Sequence, residues 1–257
     1  MKAGDGRLCV IGLGPGAAEW VTPEATQALT EASDLVGYAP YLQRVPQRAD
    51  QIRHASDNRE ELMRARQALS LTASGRKVAV VSGGDPGVFA MAAAVFEALE
   101  TGDPSWRDLD VRVIPGITAM QAAAARIGAP LGHDFCAISL SDNLKSWDVV
   151  EKRLQAAADG DFVLALYNPA SKARPGRIHD AFACLRGRKP PATPVIFARA
   201  LGRHEEKITV TSLAEADPSI ADMATLVIIG SSATRLISGR GTARPFVYTP
   251  RAEGARP

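Results

Sequence analysis

The stretch "LCVIGLGPGAAEWVTPEA" (8–25) decides how the rest of the chain is read. Four apolar residues run into a glycine loop, the pattern of a buried strand followed by a tight turn. Gly12, Gly14 and Ala17 also satisfy the dinucleotide fingerprint G-x-G-x-x-A, so a nicotinamide or flavin enzyme is the first hypothesis to test. Such a site needs a helix that starts at the glycines, because the pyrophosphate rests on the helix N-terminus. Here Pro15 interrupts. The helical signals come later, with Thr22 as N-cap, Pro23 at the first helical position and Glu24 in the first turn. The acid that would hold a ribose at the end of the second strand is missing as well: that position reads Gly37-Tyr38, and Asp34 lies before it. A nicotinamide-dependent oxidoreductase is therefore the weaker alternative.

Two further bends of the same kind follow, "SGGDPG" (82–87) after a strand beginning at Lys77 and "PGITA" (115–119) after a strand beginning at Asp110. Glycine allows positive φ and close backbone approach. In open α/β sheets ligands bind beyond the carboxyl ends of strands, so three such loops would line one rim. Helical spacing is predicted over 57–74, 88–100, 146–160 and 176–187, and strands over 34–38, 134–142, 162–169, 193–201, 206–213 and 223–230. This alternation predicts an α/β protein with largely parallel sheets, and the neighbouring strands late in the chain predict some antiparallel pairing. The expected division is a domain at 1–116 and a second at 117–257, with an irregular, flexible tail from about 238 that is rich in Gly, Pro and Arg.

The chain has 257 residues, of which 46% are hydrophobic and 23% charged, as expected of a well-cored globular protein. Thirty Lys and Arg against 28 Asp and Glu leave a net charge of +2, which builds no nucleic-acid surface. Cys9, Cys136 and Cys184 are scattered, with no C-x-x-C, so no metal site is expected and a reducing cytoplasm fits. No apolar run approaches the ~20 residues of a membrane span.

With these pieces in place, the sequence resembles the tetrapyrrole (corrin/porphyrin) methylases. The motifs that carry the resemblance are "VIGLGPG" (10–16), "SGGDPGVF" (82–89), "VIPGITAMQAAAARIGAPL" (113–131), "LYNP" (166–169) and "TLVIIG" (225–230). The family's fold is two α/β domains with mixed sheets, and the resemblance implies that S-adenosylmethionine binds in the cleft between them. "GHDFCAISLSD" (132–142), "YNPASKAR" (167–174), "TPVIFARALGRHEEK" (193–207) and "YTPR" (248–251) resemble the subgroup that methylates precorrin-3B at carbon 17 while contracting the ring. "NLKSWD" (143–148) departs from that subgroup, lacking a proline before the tryptophan.

The resemblance implies cofactor contacts at Pro15, Gly83, Gly84, Asp85, Thr118, Ala119, Tyr167, Asn168, Ala198, Leu201 and Val227, mostly through the main chain. It implies substrate contacts at Gly14, Ser171, Lys172, Arg174 and Arg199. Arginine suits the macrocycle's acetate and propionate groups through paired hydrogen bonds, and Arg177 and Arg203 lie close by in sequence. Ring contraction needs a base for a hydroxyl proton, with Asp85, His133 and Asp142 as candidates. Each has a plain structural reading beside this one: Asp85 shaping a turn, His133 capping a strand, Asp142 starting a helix. The family implies a homodimer. Another methylase of the same fold, acting on a different precorrin carbon, and a module that only binds a small ligand complete the alternatives.

Overall fold

The structure is a computed structural model that describes residues 6–57, 60–170, 175–238 and 245–252. The chain divides into two compact units, Met1–Thr118 and Ala119–Pro257.

In the first unit, β1 (Arg7–Gly12) leads through a short 3-10 turn, Ala18–Trp20, into α1 (Pro23–Glu31). The Thr22 side chain accepts the Ala25 amide at 3.1 Å, so helix α1 starts where its cap and proline dictate, eleven residues past Gly12. Then come β2 (Asp34–Tyr38), the short α2 (Ala39–Leu42), β3 (Ile52–Ser56), α3 (Glu61–Ala73), β4 (Lys77–Ser82), α4 (Met91–Thr101) and β5 (Asp110–Ile114). The strands form one sheet in the order β3-β2-β4-β1-β5, parallel throughout. Alternation sorts its side chains by face: Leu8, Val10, Val78 and Val80 pack with α3 and α4, whereas Cys9, Ile11, Leu35 and Val81 pack with Ala25 of α1 and Leu42 of α2. Each such fully buried aliphatic side chain contributes roughly 1.5–3 kcal/mol.

The second unit contains α5 (Ala119–Ile127), β6 (Gly128–Ala129), β7 (Phe135–Ser139), α6 (Trp147–Asp159), β8 (Val163–Tyr167), α7 (Arg177–Arg186), β9 (Pro194–Arg199), β10 (Lys207–Ser212), β11 (Thr225–Ile229), β12 (Arg235–Ile237) and β13 (Phe246–Tyr248). Its main sheet runs β10-β9-β11-β8-β7. Only β7 and β8 pair in parallel; the other pairings are antiparallel. Parallel pairing therefore dominates the first unit, and the antiparallel pairing expected of the neighbouring strands late in the chain appears in the second, among β9, β10 and β11, where short connections replace crossover helices. Helices α6 and α7 bury Leu154, Phe182 and Leu185 against Leu166, Phe197 and Val227.

The tail differs from its irregular reading. Phe246–Tyr248 pairs with both β12 and β6, and Val247 is fully buried. One apolar side chain and a ladder of backbone bonds outweigh the surrounding Gly and Pro. Residues 239–244 and 253–257 of that tail lie outside the described residues.

At the amino edge of the first sheet, Asp34 is completely buried. It accepts from Ser33 Oγ at 2.7 Å, from the guanidinium of Arg76, and pairs with His54 Nε2 at 2.8 Å. Burial raises its pKa, but the hydrogen bonds from Arg76, His54 and Ser33 outweigh that and leave it below the ordinary 3.8. A depressed folded pKa gives stability that is fully present above 3.8 and is lost as pH falls through the folded value. Asp34→Ala is expected to cost about 2–3 kcal/mol at pH 7 in urea unfolding, and to flatten the acid limb of the stability–pH curve.

Candidate functional site

Because the first sheet is all parallel, the carboxyl ends of β4, β1 and β5 lie side by side, and the three glycine loops emerge together. They are bonded to one another. Gly14 N donates to Gly84 O at 3.1 Å and Gly84 N to Gly14 O at 2.9 Å; Leu13 N reaches Ser82 O at 2.9 Å. Gly14 and Gly84 have φ of +65° and +68°, which glycine adopts without strain. Asp85 joins the second loop to the third: Oδ1 accepts the Gly87 amide at 2.8 Å, and Oδ2 accepts the Gly116 amide at 3.0 Å. Backbones touch where side chains are missing. A Cβ on Gly12 would sit 2.7 Å from Gly84 O, and one on Gly116 would sit 2.4 Å from the same oxygen. Gly14, Pro15, Gly83, Gly84, Asp85 and Thr118 thus share one rim.

In the second unit, β8 and β9 run in the same direction, so Tyr167 and Asn168 share an edge with Ala198 and Arg199. Tyr167 Oη accepts the amide of Met120 at 3.1 Å, tying the start of α5, with Ala119, to the end of β8. Asn168, at φ +52°, donates Nδ2 to Ser139 Oγ at 3.0 Å. Ala198, Leu201 and Val227 are buried; the Val227 side chain belongs to the core, and its main chain lies within β11 between β8 and β9. Tyr167→Phe removes the acceptor for Met120 N; affinity for S-adenosylhomocysteine is expected to fall about tenfold by isothermal titration, with the melting temperature little changed.

Asp142 follows β7 at this same edge. It accepts Arg177 Nε at 2.7 Å, and the Arg177 guanidinium lies 4.7 Å over the Trp147 ring and also reaches Asp180 at 3.1 Å. The carboxylates of Asp142 and then Asp180 hold the Arg177 pKa above its ordinary value. His133 is elsewhere. It precedes β7, at the opposite end of a five-residue strand that spans about 13 Å, and its nearest charged partner is Asp134 at 3.8 Å. The structure therefore does not bring His133 to Asp142, Tyr167 and Asn168. Arg199 is paired with Asp222 at 2.8 Å. Burial raises the pKa of Asp222, but hydrogen bonds from Thr225, Arg199 and the Ala224 amide bring it below the usual carboxylate range, so it is an ionised anchor for the arginine. Ser171, Lys172 and Arg174 lie outside the described residues.

A family model of the tetrapyrrole (corrin/porphyrin) methylases matches residues 7–217. The chain belongs to that family. A tetrapyrrole methylase of Sinorhizobium sp, precorrin-3B C(17)-methyltransferase, is 58% identical over 96% of both chains. The probable cobalt-factor III C(17)-methyltransferase of Salmonella typhimurium is 41% identical over 95% of this chain and 98% of its own length. A crystal structure of the methyltransferase CobJ superposes with a TM-score of 0.90 at 53% identity, covering 95% of this chain and 100% of that one. The uroporphyrin-III C-methyltransferase of Thermus thermophilus, solved with S-adenosylhomocysteine, shares the fold at a TM-score of 0.66 and 23% identity, covering 88% of this chain and 97% of that one.

The tetrapyrrole methylases take their methyl group from S-adenosylmethionine. The residues present fit that molecule. In the first unit, glycine loops braced by Asp85 offer main-chain groups of the kind that hold adenine, ribose and an amino-acid end. Sequence spacing gives no sign of two residues that shape these loops. Ser139 receives Asn168, and Arg44 binds the first loop; their roles depend on strand order and side-chain reach.

Proposed function

We propose that this methyltransferase acts on precorrin-3B, methylating carbon 17 with contraction of the macrocycle to precorrin-4. The observation that carries this reading is the 58% identity to the Sinorhizobium enzyme across 96% of both chains. S-adenosylmethionine, when bound, supplies an electrophilic methyl group on a sulfonium centre. Pro15, Gly83, Gly84, Asp85, Thr118, Ala119, Tyr167, Asn168, Ala198, Leu201 and Val227 are assigned to holding it. Their contribution is alignment, which in well-oriented reactions is equivalent to effective molarities of ~10⁵ M or more. Gly14, Ser171, Lys172, Arg174 and Arg199 are assigned to the macrocycle and its carboxylates.

Ring contraction needs a hydroxyl proton removed. Both oxygens of Asp85 are given to backbone amides, and His133 sits at the far end of β7. Asp142 is the candidate these observations support. His133→Ala is expected to keep ring contraction within about twofold of the parent protein, measured as precorrin-4 formed per methyl transferred.

We further assign the enzyme to the cytoplasm as a homodimer. The free thiols of Cys9, Cys136 and Cys184 accord with a reducing compartment, and among the described residues no helix is long and apolar enough to cross a membrane. The function is tested by titration with S-adenosylhomocysteine, followed by mass analysis of products from precorrin-3B, cobalt-factor III and neighbouring precorrins. A methylated, contracted product from precorrin-3B supports the reading. A product from another substrate only overturns it.

A further inference from the structure

Two arginines, each bound to three backbone carbonyls, stand in series behind the glycine rim. Arg44, just past α2, donates Nη1 to Gly14 O at 2.9 Å and Nη2 to Leu13 O at 2.6 Å and Gly16 O at 3.4 Å. Arg53, on the edge strand β3, donates Nη1 to Leu42 O at 2.7 Å and Nη2 to Val45 O at 2.9 Å and Pro46 O at 2.7 Å. The acceptors of Arg53 are the carbonyls that flank Arg44 in sequence. Tyr41, within α2, has its ring where a Cβ on Gly83 would fall, 2.8 Å from its Cζ.

We infer that Arg44 and Arg53 are a positioning relay for the methyl-donor loops. Arg53 fixes the turn after α2, and that turn delivers Arg44 to the first loop. The inference rests on the reading that these loops hold S-adenosylmethionine.

The first loop is the element that gains from an outside anchor. "GLGPG" has few side-chain anchors of its own, and Gly14 sits at φ +65°. Glycine loses more conformational freedom on ordering than any other residue, so a loop of this composition does not hold one shape unaided. A guanidinium offers five N–H donors in a planar fork, enough to hold three carbonyls at once. With Leu13, Gly14 and Gly16 carbonyls drawn to Arg44, the loop is fixed before the donor arrives, and less ordering remains to be done on binding. Lysine has the charge without the fork. Neither arginine needs to touch the ligand, so the effect is one of affinity and alignment transmitted through the main chain.

The test compares the full-length parent with Arg44→Lys, Arg44→Met, Arg53→Met, the Arg44→Met/Arg53→Met double variant and an Arg48→Met control. S-adenosylhomocysteine is titrated calorimetrically, kcat and KM are measured with precorrin-3B, and melting temperature is recorded. Arg44→Met is expected to weaken S-adenosylhomocysteine binding about tenfold or more, the scale of one charge-assisted hydrogen bond. Arg44→Lys should recover only part of this. Arg53→Met should shift affinity in the same direction by less, and the double variant should be no weaker than Arg44→Met, because Arg53 acts only through the turn that carries Arg44. Arg48→Met should bind like the parent. Variants that melt lower yet bind within twofold of the parent would overturn the relay, as would additive losses in the double variant. If Arg44→Met does not fold, Arg44→Lys and Arg53→Met decide by the same criteria. A parent protein that does not bind S-adenosylhomocysteine would instead defeat the donor-site reading, and the relay with it.

Discussion

Gly116→Ala is expected to abolish methyl transfer and to destabilise the first unit by about 1–3 kcal/mol or more, the cost of forcing a methyl group into a filled space. The added Cβ would lie 2.4 Å from Gly84 O, 2.9 Å from Gly12 Cα and 3.0 Å from Gly12 C. All three are main-chain atoms, so no side chain can swing aside. Relief requires that the third loop move off the first two, and that movement breaks the Gly116 N–Asp85 Oδ2 bond and leaves a carboxylate oxygen without its partner. Gly187→Ala serves as the control: its Cβ would meet only Cys184 O, at 3.7 Å, in ordinary contact at the end of α7. Urea unfolding reads the stability, and S-adenosylhomocysteine titration reads the site. A Gly116→Ala protein with parental stability and affinity would show that the three loops are not in close contact.

That contact is also where sequence and structure part company in an instructive way. The loops themselves are legible: an apolar run ending in Gly and Pro is punctuation that physical chemistry makes unambiguous, and Thr22-Pro23 places the start of α1 far enough from Gly12 to dismiss a nucleotide fingerprint. What cannot be read is adjacency. Nothing in the spacing says that β4 and β5 flank β1, and without that order Asp85 is only a residue before a proline, not the link from one loop to the next. Strand β3 is missed for a related reason. "IRHAS" is polar at an edge, and its arginine and histidine face Leu42 and Asp34 through contacts that only the fold supplies. His133 and Asp142 show the converse. Nine residues apart, they look like neighbours in one motif, yet a strand runs between them and sends them to opposite ends.

Asp142→Asn is the sharper chemical test. If Asp142 accepts the hydroxyl proton, its amide replacement should lower ring contraction by about 10²–10⁴-fold, the usual contribution of a positioned base. Binding of S-adenosylhomocysteine should be nearly unchanged, because the Tyr167–Met120 and Asn168–Ser139 bonds do not involve Asp142. The competing role is structural: Asp142 holds Arg177 at 2.7 Å, over Trp147, and losing that charge could displace the arginine instead. Arg177→Met separates the two. It removes the pair from the other side and leaves the carboxylate in the chain, so a true base should then keep more of its ring contraction than Asp142→Asn does. Equal losses in Asp142→Asn and Arg177→Met would mean that the pair shapes the edge and that the proton leaves by another route. The pairing is compatible with that role because Arg177 holds Asp142 in one rotamer, at a fixed distance to the hydroxyl.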